Sequence, residues 1–133
     1  MAAAATELLV IDTDVLIDYL RDQPQAVAFL EGSDRPLAVS VVSIAELYVG
    51  VREGAERQRL DVFISAFEVL ALNQEAAVQA GLFRRQYGRS HGTGLADALI
   101  AAIVQTAGAR LATLNRRHFP MLANVVVPYT KES

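Results

Sequence analysis

Carboxylates are the plentiful reactive groups of this 133-residue chain, which carries 15 Asp and Glu against two His and no Cys. The absence of cysteine excludes disulfides, thiolate zinc sites, iron–sulfur clusters and cysteine nucleophiles. His91 and His118 are too few for an imidazole metal cage. Oxygen-bearing side chains fall at telling places instead. Asp12 follows the apolar run Leu8-Leu9-Val10-Ile11, and Asp14 comes two residues later. Glu46 and Asp97 each fall in the first turn of an expected helix, and Asn115 directly follows an expected strand. Such hard donors favour Mg2+ or Mn2+ over zinc. Carboxylates gathered a few ångströms apart repel unless a divalent cation neutralises them. A cation so held lowers the pKa of bound water and polarises a phosphoryl oxygen.

Plainer uses compete for most of these residues. Ser43-Ile-Ala-Glu46 fits a capping box. Asp97 suits the positive end of its helix. Asp14 is a fair helix-start residue, and Asp18 and Asp22, each four further on, read as a solvated face. Asp12 follows a strand, away from any obvious cap role, and has the weakest structural explanation.

The elements that must position these groups alternate along the chain. Apolar residues make up 53% and charged residues 20%, a globular composition of about one domain. Short apolar runs at Leu8–Ile11, Leu37–Val42, Val69–Leu72, Arg110–Leu114 and Val125–Val127 read as strands. Helical stripes lie between them: Asp14–Arg21, Pro24–Gly32, a helix from Ser43 ended by Gly54, Glu56–Phe67, Gln74–Tyr87, and the longest stripe from Ala96 to Ala107. Gly88 to Gly94 reads as a loop. Strands alternating with helices imply an α/β fold, with a short central parallel sheet of about five strands and helices on both faces. Function in such folds collects at the carboxyl ends of the strands. Residues 1–6 read as a loose tail and 7–133 as one domain. The N-terminus makes a poor signal peptide, and no apolar stretch approaches ~20 residues, so a soluble cytoplasmic protein without a membrane span is expected.

Four blocks then resemble the motifs of PIN-domain ribonucleases, in order and spacing: Val10–Ile17, Ser43–Leu47, Leu95–Ala102 and Ala112–Phe119. The likeness spans nearly the whole chain and is strongest to the VapC-type toxins of bacterial toxin–antitoxin pairs. It implies a metal-dependent endoribonuclease in which Asp12, Glu46 and Asp97 are the acidic metal-site residues, with Mg2+ or Mn2+ as cofactor. The fourth block offers Asn115 where the family often has another acid, so Asn115 is assigned the positioning of a water or of the cation. Asp14 stands where the family often has Asn or Ser. The resemblance further implies a VapB-like antitoxin, docked in a hydrophobic groove between the early helices and the helical pair Ser43–Phe67, and a homodimer. Tyr48, Phe63 and Phe67 are candidates for lining that groove or for the core.

A net charge of -3 excludes a wholly basic nucleic-acid coat. Its distribution still admits RNA, because all basic residues except Lys131 are arginine, a planar fork suited to phosphate. Arg84, Arg85, Arg89 and His91 precede the Asp97 block, and Arg116 and Arg117 follow Asn115. Two other readings compete. Asp12-Thr-Asp14 after a strand resembles haloacid-dehalogenase-like phosphatases, with Asp12 as nucleophile, but the lysine that chemistry needs beyond mid-chain is missing. A PIN-fold binding module of weak activity is the other, opposed by the intact Asp12, Glu46 and Asp97.

Overall fold

The computed structural model describes residues 7–131, and the expected tail at residues 1–6 lies outside them. The chain runs through β1 (Leu9–Ile11), α1 (Thr13–Leu20), α2 (Pro24–Glu31), β2 (Leu37–Ser40), α3 (Val41–Val49), α4 (Ala55–Ser65), β3 (Glu68–Leu70), α5 (Gln74–His91), α6 (Leu95–Ala107) and β4 (Arg110–Ala112). A 3-10 turn, Arg116–His118, follows. All strand pairs are parallel, in the order β3-β2-β1-β4.

The sheet is buried on both faces along β1 and most of β2 and β4, as their apolar runs require, while the edge strand β3 stays largely exposed. Side chains alternate along each strand. Leu9, Ile11, Val39 and Ala112 pack with Val15, Leu16, Leu30, Leu47 and Leu60 from α1 to α4. Val10, Ala38 and Leu111 face the other way, against Ala80 and Phe83 of α5 and Ile100 and Val104 of α6. Phe119 completes that second layer.

The strand order places the functional cleft. The chain steps outward from β1 to β2 to β3, then returns to set β4 on the far side of β1. The order therefore reverses between β1 and β4, and the crevice beyond their carboxyl ends is where open parallel sheets bind ligands.

Several boundaries differ from the sequence expectation. The sheet has four strands, because Val126 makes only an isolated parallel bridge to Ala112. That run is hemmed in by the left-handed turn at Asn124 (φ 58) and by Pro128, which has no N–H to extend a ladder. β2 ends at Ser40, whose hydroxyl caps α3 by accepting from Ser43 N at 3.1 Å. Ser43 is thus inside the helix, the capping box at Ser43–Glu46 does not form, and Glu46 is released from that structural use. Gly50, not Gly54, closes α3, and Gly54 (φ 100) instead precedes α4. The expected loop from Gly88 is helix as far as His91, and α5 stops only at Gly92 (φ 69). A helical glycine costs only about 1 kcal/mol, which the packing of Tyr87 on the core and the edge contact of the Tyr87 and His91 rings at 5.5 Å outweigh.

Candidate active site

Asp12 sits at the topological reversal. Ile11 pairs with Ala112, so the next residues, Asp12 and Thr113, stand side by side. The Asp12 backbone N–H donates to the Ala112 carbonyl at 2.9 Å, extending the pairing by one bond. Its carboxylate is held at both ends. Oδ1 accepts from Thr13 N at 2.9 Å, and Oδ2 accepts from the Thr113 hydroxyl at 2.7 Å. Asp12 therefore does cap α1, contrary to the sequence expectation. A single residue separates β1 from α1, so the group closing the strand must also open the helix.

This carboxyl is only 5% exposed. Its pKa is pushed up to about 7, chiefly by burial, then by the charge of Asp14 and to a smaller extent of Asp97. The hydrogen bonds from Thr113 and Thr13 oppose that rise. Asp14 is also raised, mainly by burial, against the bonds it accepts from Leu114 N (3.1 Å) and Val15 N (2.7 Å). The Asn115 amide donates to the same Asp14 Oδ2 at 3.0 Å, so Asn115 holds Asp14. Asp14 is thereby tied to the end of β4, and not to Asp12.

Glu46 reaches the site from α3. Its Oε1 accepts from the Thr13 hydroxyl at 2.6 Å, and Thr13 also lies 2.8 Å from the hydroxyl of buried Ser43. Asp97 enters from α6, where its Oδ2 accepts from Gly94 N at 3.2 Å. Here the helix-start use does occur, alongside any role in the site. The same oxygen lies 3.3 Å from His118 Nδ1. The His118 carbonyl takes a 2.8 Å bond from buried Thr93, and the ring lies over Gly92, where a Cβ would come within 3.5 Å of Nε2.

Asp12 and the joined pair Asp14–Asn115 thus lie at the carboxyl ends of β1 and β4, with Glu46 joined to Thr13 and Asp97 near enough to act on the charge of Asp12. Among the described residues, no three His, Asp or Glu side chains are disposed to hold a metal ion as they stand. The donor set nevertheless suits a hard divalent cation, for it is all oxygen. A buried carboxyl raised by burial and like charges is also one that a cation would restore to its ionised form.

Thr13 and Thr113, and the approach of His118 to Asp97, were not assigned roles from the sequence. Thr113 had a signal: aligning the ends of the first and fourth strands puts it beside Asp12. Arg116 and Arg117 are exposed directly after Asn115, and Arg84, Arg85 and Arg89 are exposed on α5.

Asp18 contradicts the solvated face expected of it. It is 4% exposed, its Oδ2 accepting from the Tyr129 hydroxyl at 2.8 Å and its Oδ1 lying 2.8 Å from Lys131 Nζ. Only Asp22 stays in solvent, and it meets exposed Arg59 at 3.5 Å.

A separate groove of about 490 Å3 lies between α1, α3 and α4. Ile17, Leu20, Leu47 and Leu60 give it an apolar lining, with Arg21, Arg52 and Arg59 beside them. Tyr48, Phe63 and Phe67 do not line it. Phe63 stacks on Tyr19 at 5.1 Å and meets Phe67 edge-on at 5.0 Å, both packed against the core, while Tyr48 lies under the Arg57 guanidinium.

The parallel sheet with its acidic reversal point defines a class, and residues 9–124 match the PIN domain family model. The chain belongs to that family. Ribonuclease VapC10 of Mycobacterium tuberculosis is 42% identical over 125 residues, 92% of this chain and 93% of that protein. Ribonuclease VapC19 of the same organism is 37% identical, covering 90% of this chain and 98% of its own. Among solved structures, a toxin–antitoxin complex from Klebsiella pneumoniae superposes with a TM-score of 0.80 at 28% identity, over 92% of this chain and 99% of that one. DNA-bound VapBC from Salmonella typhimurium gives 0.69 at 26% identity, over 91% and 96%. No helix among the described residues is long and apolar enough to cross a membrane.

Proposed function

We propose that this chain is a metal-dependent endoribonuclease, the toxin of a toxin–antitoxin pair, that hydrolyses RNA phosphodiester bonds. The observation that carries the reading is buried Asp12, pushed up to about 7 at the reversal point of a PIN fold whose relatives are named ribonucleases. Asp12 and Asp97 would be the principal residues to hold a Mg2+ or Mn2+ ion, with Glu46 beside them. Bound there, the cation supplies a water of lowered pKa and neutralises charge on the phosphoryl group.

The chain's own residues do the rest. Thr113 and Thr13 fix the Asp12 carboxylate, so its oxygens need no reorganisation when charge develops. Glu46 spends Oε1 on Thr13 and keeps Oε2 for the proton of the attacking water. Asn115 gives one amide N–H to Asp14, which leaves its carbonyl oxygen to orient a water. Exposed Arg116 and Arg117 bind flanking phosphates in an otherwise acidic protein.

The α1–α3–α4 groove is the proposed seat of a VapB-like antitoxin. Its apolar lining and three arginines suit an amphipathic acidic helix. A homodimer is part of the same proposal, by analogy with the family. The phosphatase alternative has no observation in its favour: the single lysine is paired with Asp18.

The test is cleavage of total RNA by the purified chain with Mg2+ or Mn2+, beside Asp97→Asn. Discrete cleavage that needs the metal and is lost in the variant is expected. Equal cleavage by both proteins would trace the activity to a contaminant and remove Asp97 from the site.

A further inference from the structure

The C-terminal segment Val127–Lys131 lies outside all the motif blocks, yet it builds a wall of the site. After the bridge at Val126 the chain passes over α1 and is anchored there by Asp18. That buried carboxylate takes the Tyr129 hydroxyl on one oxygen and the ammonium of Lys131, the chain's single lysine, beside the other, both at 2.8 Å. Two fixed points two residues apart hold the segment against the helix. Between it and the end of β4 lies a cleft of about 360 Å3, within the size range of ligand pockets.

Asp14 and Asn115, joined to one another at 3.0 Å, line this cleft together with Val127, Tyr129, Thr130 and Lys131. The cleft thus opens beside Asp14 and Asn115, at the carboxyl ends of β1 and β4. Its chemistry is mixed: apolar surface from Leu114 and Val127, a tyrosine ring, a hydroxyl, an ammonium and an amide. Asn115 commits one N–H to Asp14 and its carbonyl oxygen to a water, and its second N–H and the Thr130 hydroxyl remain to meet a base edge. Aromatic faces and such polar edges are how unpaired bases are held.

We propose that this cleft is a nucleotide subsite, which takes a residue of single-stranded RNA flanking the scissile phosphate, and that the Asp18–Tyr129–Lys131 anchor fixes its wall. The proposal rests on the ribonuclease reading and deepens it. Tyr129, Thr130 and Lys131 then contribute to the choice of RNA without touching the reacting atoms.

The absence of cysteine from the chain provides the test. Thr130→Cys places one thiol at the mouth of the cleft, and Val62→Cys places a control on α4 at a position 70% exposed. Each is tagged with a bulky methanethiosulfonate and assayed on a short RNA with Mg2+ or Mn2+. The tag at 130 should raise KM at least about tenfold, with recovery on adding dithiothreitol, while the tag at 62 leaves KM unchanged. Active enzyme indifferent to the tag at 130 would overturn the subsite. Should that tag lower the melting temperature, the same comparison is read from Val127→Cys, 42% exposed on the same wall. Failure of the untagged variants and the parent alike to cut RNA would overturn the ribonuclease reading and the subsite with it, a result distinct from an active but indifferent enzyme.

Discussion

Asp12 caps α1 and Asp18 lies within it, and they are almost equally buried, at 5% and 4% exposure. Their surroundings are opposite. Asp18 is met by an ammonium and a phenol from the C-terminal segment. Asp12 is met by a threonine hydroxyl and a backbone amide, with the carboxylates of Asp14 and Asp97 near. Among the described residues no basic side chain pairs with it. A buried acid supplied with its own counter-charge is part of the frame. A buried acid left among like charges is a place for a cation from outside.

Substitution at the two aspartates should break the comparison most sharply. Asp12→Asn should lower RNA cleavage by about a thousandfold, since a cation ligand and its charge are both lost, as initial rates on a fixed RNA will report. Asp18→Asn should leave kcat within about threefold, since Asp18 touches no reacting atom, and should instead raise KM through the wall that it anchors. The same Asp12→Asn should stabilise the metal-free protein. Asp12 is raised in the folded state, so its ionisation opposes folding. The cost is nil below pH 3.8, grows as pH rises, and is complete above about 7, where it amounts to at most about 4 kcal/mol. Melting of the two proteins should therefore converge at pH 4 and separate at pH 8, and Mg2+ should narrow the gap by raising the wild type alone.

Smaller effects sharpen the contrast. Asp18→Asn should cost about 2 kcal/mol at neutral pH, because Lys131 loses its partner while Tyr129 keeps an acceptor. In a chain this size that is several degrees of melting temperature. Thr113→Val should cost less in stability and move a titration instead. Its hydroxyl lowers the pKa of Asp12, so its loss should shift the pH midpoint of the Asp12-dependent stability upward, measured by melting across a pH series.

The reach of the sequence differed between these aspartates for a physical reason. Asp12 was legible because it stands at the end of an apolar strand, and parallel sheets bring strand ends together whatever the loops do. Asp97 does stand in the first turn of α6, as its spacing suggests, whereas Glu46 falls in the second turn of α3, because that helix begins at Val41 and not at Ser43. Asp18 was misread because i+4 spacing reports only its own helix, and its partners arrive from 111 and 113 positions away. Ser40 was missed because the strand and helix share the run Val39–Val42, where apolar character marks no boundary. The helical course through Gly88 was missed because glycine reports a local preference, which the packing of α5 overrides.

The pairing of β1 with β4 has a temporal consequence. Asp12 meets Thr113 across 101 positions of chain, and Asn115 meets Asp14 across the same span. During synthesis the first acid of the site leaves the ribosome long before the strand that orders it. Contacts so distant in sequence form late, after the local helices. A nascent chain halted before β4 carries Asp12, Glu46 and Asp97 yet has no ordered crevice to place them in. The order of the crevice thus waits on the synthesis of β4.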